Sequence, residues 1–324
     1  MLKYNFPCSV LSDGNGSSIQ YLDLEGCAFR PTVQLGCLRS LKELHLHYVG
    51  ITGHELECLL SNSLVLERLE LRDCYDIICL KIPYLLCCLS YLHVYGSNML
   101  QAIENKAPNL RSIYLRNLPA PTLPGTVTAT WRVIATEEHR NVLFQSRMVN
   151  TPMAPSRFLH LKHLSIDLIG VNLSPEYDYF LLASFIDASP SLRTFSLNAP
   201  LTLMMHESII GGSSDLRQMP QHRHHDLQSF KITCFGSAKT LIELTCHILE
   251  STTSLECVTL DTTTTDAFRC SDGNSKKCYT MPNGIILEAQ KALLAIETYI
   301  KMRAPATVEL NVIEPCRLCH VIGM

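Results

Sequence analysis

The sequence predicts an α/β solenoid, in which short parallel strands form a curved sheet on the concave face and helices or irregular turns form the convex face. Three observations predict it: a hexamer that recurs nine times, an alternation of apolar and polar residues inside each hexamer, and helical spacing of leucines between hexamers. One such coil cannot cover its own apolar side. Neighbouring coils therefore stack, and the core runs along the solenoid.

The repeated hexamer has the pattern apolar-x-x-apolar-x-apolar. Its first residues are Ile19, Leu41, Leu66, Leu89, Leu110, Leu161, Leu192, Leu227 and Leu255. The first five copies are separated by steps of 22, 25, 23 and 21 residues. Leucine-rich repeats have a period of roughly 20–29 residues. Chance gives one or two such hexamers but not nine at near-regular steps, so the sequence predicts a leucine-rich-repeat solenoid.

The alternation inside the hexamer predicts where each strand lies. Its last two apolar residues alternate with polar ones, as a short strand with one buried face requires. The first apolar residue anchors the turn that enters the strand. In two repeats a cysteine, Cys27 or Cys74, follows the anchor by eight positions, where the repeat consensus has Asn or Cys lining the inside of the coil.

The segments between strands predict helices. His54–Ser63 reads HELECLLSNS and places Leu56, Leu59 and Leu60 on one helical face. Each unit is therefore expected to be a strand followed by a helix.

The repeats are interrupted twice. The step from Leu110 to Leu161 spans three prolines and then TVTATWRVIA, which alternates like a strand. We expect a degenerate repeat with an insertion at about 119–150. The step from Leu192 to Leu227 contains GGSSDLRQMPQHRHH, which predicts an exposed loop at about 205–226.

The C-terminal part predicts a cap. One helical face is formed by Ile286, Ala289, Leu293, Ile296 and Ile300. Thr307–Val312 then alternates as a strand, and a helix–strand pair can cover the last coil. The predicted organisation is an N-terminal tail (1–17), the repeat domain (18–265), a loop (266–283) and the cap (284–324).

Composition excludes several classes of protein. The net charge of −3 argues against a nucleic-acid binder, which normally carries a concentrated basic surface. No stretch approaches the roughly 18 apolar residues of a membrane span. The N-terminus is a poor signal peptide, so we expect a cytoplasmic or nuclear protein. The fifteen cysteines are then expected to be reduced and to pack as small hydrophobic residues. A disulfide framework is the alternative.

Few residues suggest bound metal or catalysis. Cys316-x-x-Cys319-His320 matches the signature for haem attachment, and these cysteines with Cys270 and Cys278 form a poorly spaced set of zinc ligands. His222, His224 and His225 could bind metal, but a solvated loop is the favoured interpretation. No phosphate loop, dinucleotide fingerprint, nucleophile elbow or zinc-protease helix occurs. We expect no enzyme activity, no cofactor and no metal.

The strand residues that alternate with the buried ones predict a partner-binding surface on the concave face. Tyrosine and arginine dominate binding hot spots, and both are frequent in the first five repeats. The alternative is a solvated sheet face whose side chains pack sideways across strands. The candidate residues are Tyr21, Asp23, Glu43, His45, His47, Arg68, Glu70, Arg72, Tyr91, His93, Tyr95, Tyr114 and Arg116.

From about Ser18 to Glu314 the chain resembles the leucine-rich-repeat portion of plant F-box proteins, in particular the large grass group with an FBD-like C-terminal segment. The resemblance is carried by five long segments. They are MVNTPMAPSRFLHLKHLSI (148–166), SPEYDYFLLASFIDASPSLRTF (174–195), LRQMPQHRHHDL (216–227), LTCHILESTTSLECVTLDTT (244–263) and ALLAIETYIKMRAPATVELNVIEPCRLCH (292–320).

The resemblance implies a function in ubiquitin-dependent degradation. In that family the repeats recognise a substrate protein, and an N-terminal F-box docks the adaptor of a Skp1–cullin–F-box ubiquitin ligase. Here the repeats begin near Ile19, which leaves no room for an F-box. A Skp1-type adaptor is therefore expected only if a longer product carries one.

Three functions remain open. The resemblance favours a substrate receptor that binds an unidentified protein. A stand-alone repeat scaffold, or a truncated family member without ligase recruitment, is the second. The third is an enzyme or metalloprotein that uses the C-terminal cysteines.

Overall fold

The structure of the chain is a computed structural model. It describes residues 4–11, 18–31, 38–97, 99–100, 102–116, 132–135, 158–168, 178–199, 206–211, 216–217, 223–263 and 281–315. The chain forms two compact units. Unit 1 consists of Met1–Asp167 and Ala188–Ser191, and unit 2 consists of Leu168–Asp187 and Leu192–Met324.

Unit 1 is built mainly from short strands. They are β1 (Tyr4–Asn5), β2 (Tyr21–Glu25), β3 (Cys27–Ala28), β4 (Glu43–His47), β5 (Arg68–Arg72), β6 (Cys79–Ile82), β7 (Tyr91–Tyr95), β8 (Ala102–Asn105), β9 (Ser112–Arg116), β10 (Arg132–Ala135) and β11 (His163–Asp167). Six of these form one parallel sheet in the order β2-β4-β5-β7-β9-β11. Each begins two residues after the first residue of a hexamer, which confirms the predicted repeat.

The core of unit 1 is made by the second and fourth residues of these strands. They are buried in every one of the six strands, for example Leu44, Leu46 and Leu69 at 0% exposure. Full burial of a leucine side chain contributes about 1.5–3 kcal/mol. Cys27 and Cys74 are also buried, as the repeat pattern predicts, and the Cys74 thiol donates a hydrogen bond to the carbonyl of Leu46.

A left-handed residue follows each of the first four strands of the sheet. These residues are Gly26, Tyr48, Asp73 and Gly96, with φ between 53° and 67°. Each donates its N–H to the carbonyl of the last residue of the next strand, at 2.8–3.0 Å. The same conformation therefore recurs because it extends the sheet ladder by one hydrogen bond per coil.

The return segments of unit 1 differ from the expected helices in two repeats. There, β8 pairs with both β6 and β10 in a second, parallel sheet in the order β10-β8-β6. Pro83 directly follows β6 and disfavours a helical conformation at Ile82. In β6, Leu80 and Ile82 are buried whereas Lys81 is exposed, so the segment has strand periodicity.

A helix does form where it was predicted, as α1 (Gly53–Ser61) with Leu56, Leu59 and Leu60 buried. Thr52 caps its N-terminus, and the Thr52 and Glu55 side chains form a capping box. A Cβ atom on Gly53 would lie 2.3 Å from the Cys79 carbonyl oxygen. Glycine is therefore required for α1 to approach β6.

Unit 2 combines strands with longer helices. After a 3-10 turn at Tyr179–Leu182, its elements are α2 (Ala183–Asp187), β12 (Thr194–Asn198), β13 (Ser229–Thr233), α3 (Lys239–Ser251), β14 (Cys257–Asp261), α4 (Asn283–Ala295) with a π-helical turn at Ile296–Ile300, and β15 (Glu309–Ile313). Its four strands pair in parallel in the order β12-β13-β14-β15.

The predicted C-terminal helix and strand are both present, and β15 pairs with β14, the strand of the ninth hexamer. The buried face of the helix differs from the prediction in one position. Leu293 is only half-buried, and Ala292 and Ala295 are fully buried. Alanine at these two positions lets the helix backbone pack closely against the core.

Much of the two predicted interruptions lies outside the described residues, so their boundaries stay a prediction. Within the first, Arg132–Ala135 is a strand, as the alternation predicts. No helix among the described residues is both long enough and apolar enough to cross a membrane.

The left-handed turns predict that two glycine substitutions reduce the stability of the fold by different amounts. Gly26→Ala introduces backbone strain, but its Cβ atom meets no other atom within 4 Å. We therefore expect the free energy of unfolding to fall by about 1 kcal/mol. Gly96→Ala adds the same strain and places its Cβ 2.1 Å from the Asp73 Oδ1 atom, so we expect a loss of about 2–4 kcal/mol. Urea unfolding of both variants measures the difference. Equal losses would contradict the close packing of successive turns.

Candidate protein-binding face

The first, third and fifth residues of the six sheet strands in unit 1 form one surface, which we call the outer face. All thirteen candidate residues lie on it. Strands in a sheet are about 4.8 Å apart, so residues in one row are neighbours. The register gives a first row of Tyr21, Glu43, Arg68, Tyr91, Ser112 and His163, a third row of Asp23, His45, Glu70, His93, Tyr114 and Ser165, and a fifth row of Glu25, His47, Arg72, Tyr95, Arg116 and Asp167.

Glu70 lies at the centre of the outer face, in the third row. The Nε and Nη2 atoms of Arg68 donate hydrogen bonds to its Oε1 atom at 2.9 and 2.6 Å. Burial acts to raise the pKa of Glu70, but the hydrogen bond from Arg68 and the electrostatic influence of His45, Arg68 and His93 outweigh it and lower the pKa. Glu70 is therefore an ionised carboxylate that fixes the Arg68 guanidinium.

The aromatic residues of the central strands pack around Arg68. Its guanidinium carbon lies 3.8 Å from the centroid of the Tyr91 ring, a cation–π contact. The Tyr91 ring lies 5.2 Å from that of Tyr114, and His93 contacts Tyr114 edge to face at 6.3 Å. We call Arg68, Glu70, Tyr91, His93 and Tyr114 the central cluster.

His93 is held in its neutral form within this cluster. Burial is the largest cause and lowers its pKa, and the charges of Arg72, Arg116 and Arg68 lower it further, against the opposing charge of Glu70. Its Nδ1 atom lies 3.9 Å from the Glu70 Oε2 atom. At neutral pH the imidazole is therefore uncharged and packs mainly as an aromatic ring.

The outer face is acidic and aromatic at β2. The Tyr21 hydroxyl donates a hydrogen bond to the Asp23 Oδ2 atom at 3.1 Å and lies 3.2 Å from the Nδ1 atom of His45. Half of the Tyr21 side chain remains exposed. Asp23 and Glu25 are also exposed, so this part of the face carries two accessible carboxylates.

Arginines flank a tyrosine in the fifth row. The guanidinium carbons of Arg72 and Arg116 lie 5.8 and 5.6 Å from the centroid of the Tyr95 ring. The Nε atom of Arg116 also lies 2.8 Å from the Asp167 Oδ2 atom. Asp167 lies on the same face in the sixth repeat but is not among the thirteen candidates, because tyrosine and arginine concentrate in the first five repeats.

The side chains of the outer face therefore pack sideways, as the alternative interpretation predicts, yet several stay accessible. The Arg68 and Arg116 side chains are 40% and 60% exposed. Sideways packing restrains these side chains, and restrained side chains lose less entropy when a partner binds.

The described residues contain no group of three His, Cys, Asp or Glu side chains suited to hold a metal ion. His222, Cys270, Cys278, Cys316, Cys319 and His320 lie outside the described residues. Among the described cysteines, Cys58, Cys79, Cys87, Cys88, Cys246 and Cys257 carry free thiols. One of them, Cys246, has its pKa raised by burial to about 12 and is an inert core residue.

The prediction of a solvated loop is wrong for His224, whose side chain is 2% exposed. Its Nε2 atom lies 3.1 Å from the Asp187 Oδ1 atom, and its backbone pairs with Thr252 just before β14. His247 of α3 lies 3.6 Å from the same Asp187 oxygen. No local sequence pattern indicates this cluster, because its three members are far apart in the chain. The neighbouring His225 is exposed and contacts the Thr253 hydroxyl.

The buried cluster predicts acid sensitivity in unit 2. Burial acts to raise the pKa of Asp187, but the hydrogen bond with His224 and the nearby His247 outweigh it and lower the pKa from 3.8 to about 2. Because the folded pKa is depressed, the carboxylate stabilises the fold above about pH 4, and this contribution is lost as the pH falls to about 2.

We expect wild-type stability to fall by about 2 kcal/mol through this group over that range. Asp187→Asn should remove this part of the pH dependence, measured by urea unfolding at a series of pH values. Asp226→Asn, an exposed neighbour, is the control and should leave the profile unchanged. An unaltered profile for Asp187→Asn would contradict the ionised cluster.

Comparisons with known proteins identify the family. No curated protein matches the chain. The model of the leucine-rich-repeat domain described as At1g61320/AtMIF1 matches it twice, over residues 1–140 and 126–317. These two matches cover nearly all of the chain, including every strand from β1 to β15. The chain therefore belongs to the At1g61320/AtMIF1 leucine-rich-repeat domain family.

Proposed function

We propose that this chain is a protein-interaction module whose outer face in unit 1 binds a partner protein. Leucine-rich-repeat domains are in general non-catalytic scaffolds that bind proteins, and membership of this family supports the proposal. The outer face supplies the residue types that dominate protein interfaces, with tyrosines and arginines at the centre and carboxylates toward β2.

The central cluster is the observation that carries the proposal. Tyr91 and Tyr114 are half-buried and present their remaining ring surface on the outer face. Arg68 is fixed between the Tyr91 ring and the Glu70 carboxylate. A fixed guanidinium beside two packed rings buries large area on binding at low entropic cost, which is the physical basis of a hot spot.

We further propose that the bound partner is a substrate for ubiquitination. The support is the resemblance of the chain to the repeat portion of plant F-box proteins, in which such repeats select the substrate. A Skp1-type adaptor would be recruited by an F-box in a longer product. A stand-alone scaffold would use the same outer face but would not recruit the adaptor.

Substitution of the central cluster tests the interaction face. Tyr91→Ala combined with Tyr114→Ala should weaken partner binding by at least about tenfold, because hot-spot truncation costs about 2 kcal/mol or more. The partner is first identified by chemical cross-linking and mass spectrometry, and its affinity is then measured with purified proteins. Urea unfolding confirms that the variant is folded.

Tyr84→Ala is the matched control. Tyr84 is 56% exposed and lies in the turn between β6 and β7, outside the six strands of the outer face. This variant should bind the partner as wild type does. If Tyr84→Ala weakens binding as much as the double variant, or the double variant binds normally, the outer face is not the interaction surface.

The ubiquitination proposal has its own test. The longest product of the gene should bind a purified Skp1-type adaptor in gel filtration, and the partner should be ubiquitinated in a reconstituted reaction. Adaptor binding without partner ubiquitination, or the absence of both, would favour the stand-alone scaffold and would leave the assignment of the outer face intact.

A further inference from the structure

One arginine on the outer face lacks a carboxylate partner among the residues that the structure describes. Arg68 is paired with Glu70, and Arg116 is paired with Asp167. Arg72 is exposed, and its contact is the Tyr95 ring at 5.8 Å. In the part of the chain that the structure describes, no carboxylate oxygen lies within 4.0 Å of its guanidinium. Arg72 is therefore a cation that the described part of the fold holds beside Tyr95 but does not neutralise.

The neighbours of Arg72 in the fifth row add polar groups. His47 is its register partner on β4, and Tyr95 is its register partner on β7. The His47 ring stacks on His45 at 6.4 Å, and its Nε2 atom has no hydrogen-bond partner among the described residues. An imidazole nitrogen can form a hydrogen bond, so a polar group of the partner that reaches this atom would satisfy it.

We propose that Arg72, flanked by His47 and Tyr95, binds an acidic side chain of the partner protein. We call these three residues the acid-reading site. The inference rests on the proposed function, because it names the chemistry of the partner that the outer face takes. The planar guanidinium presents two parallel N–H groups, a geometry that matches a carboxylate.

The charges of the fifth row favour a carboxylate over a phosphate group. Arg72 and Arg116 carry two positive charges, and Glu25 and Asp167 carry two negative charges in the same row. Because Asp167 already neutralises Arg116, one positive charge is left near Tyr95. It matches a monoanionic carboxylate, whereas the second charge of a phosphoryl group would be uncompensated and close to carboxylates.

The outer face also defines a second position for the partner. Asp23 and Glu25 are exposed on β2, two strands from Arg72 in the sheet. Two strand spacings amount to about 10 Å. A partner segment that places an acidic side chain at Arg72 and a basic side chain about 10 Å away would therefore match both charges. The partner class is a peptide segment with both signs of charge.

A displayed library of random peptides tests the acid-reading site with the full chain. Wild-type protein should select peptides that are enriched in Asp or Glu at one position. Synthetic copies should lose about tenfold in affinity when that residue is changed to its amide, measured by fluorescence anisotropy. Arg72→Gln should cause a similar loss and should show no further loss with the amide peptide.

A charge-reversal variant distinguishes a change in which peptides are selected from a general loss of peptide binding. Arg72→Glu should select peptides in which Lys or Arg replaces the acidic residue. Lys231→Glu is the control, because Lys231 is an exposed cation on β13 of unit 2, and it should select the same peptides as wild type. Urea unfolding of each variant checks its folding.

The outcomes distinguish a failure of the acid-reading site from a failure of the proposed function. Selected peptides that bind through the central cluster but are indifferent to Arg72 and to the amide change overturn the acid-reading site and leave the proposed function standing. Tighter binding when phosphoserine replaces the acidic residue also overturns it, in favour of a phosphopeptide. If wild-type protein selects no peptide, or selects peptides unaffected by the Tyr91→Ala, Tyr114→Ala variant, the proposed function itself fails.

Discussion

The parallel register of the unit 1 strands is the constraint on which the outer face depends. Side chains alternate between the two faces of a strand, so a slip of one residue would exchange the buried leucines for the charged residues beside them. At β5 such a slip would bury Arg68, Glu70 and Arg72 in place of Leu69 and Leu71. Burial of unpaired charges costs several kcal/mol each, whereas each leucine contributes to the core. The core therefore fixes the register, and the register creates the rows of the outer face.

The rows in turn decide which polar groups neutralise each other. Arg68 and Glu70 are two residues apart on one strand and therefore share a face, where they pair. Arg116 reaches Asp167 because the two residues are register partners on β9 and β11. Arg72 has His47 and Tyr95 as its register partners, and neither is a carboxylate. The same geometry thus produces a fixed hot spot in the middle of the face and a cation beside it that is available to a partner.

The sequence predicts those features that repeat. Nine hexamers gave nine strands, and α1 and the C-terminal helix and strand appear where their periodicity places them. It does not predict how the chain returns between strands, since the four-residue segments at β6 and β8 are too short for a helical pattern and pair with each other instead. It also does not predict contacts between residues far apart in the chain. The burial of His224 against Asp187 depends on α2, α3 and the turn before β14, and no local pattern connects them.

The register of unit 1 can be measured directly by nuclear Overhauser effects between backbone amide and α protons in isotopically labelled protein. Parallel strands that pair as described give cross-strand signals that connect Leu44 with the neighbourhood of Leu69, and Leu69 with that of Leu92. The predicted result is one continuous set of such signals from β2 to β11. Signals displaced by one residue, or their absence between consecutive strands of the order, would mean that the rows do not exist, and the outer face would have to be abandoned as a binding surface.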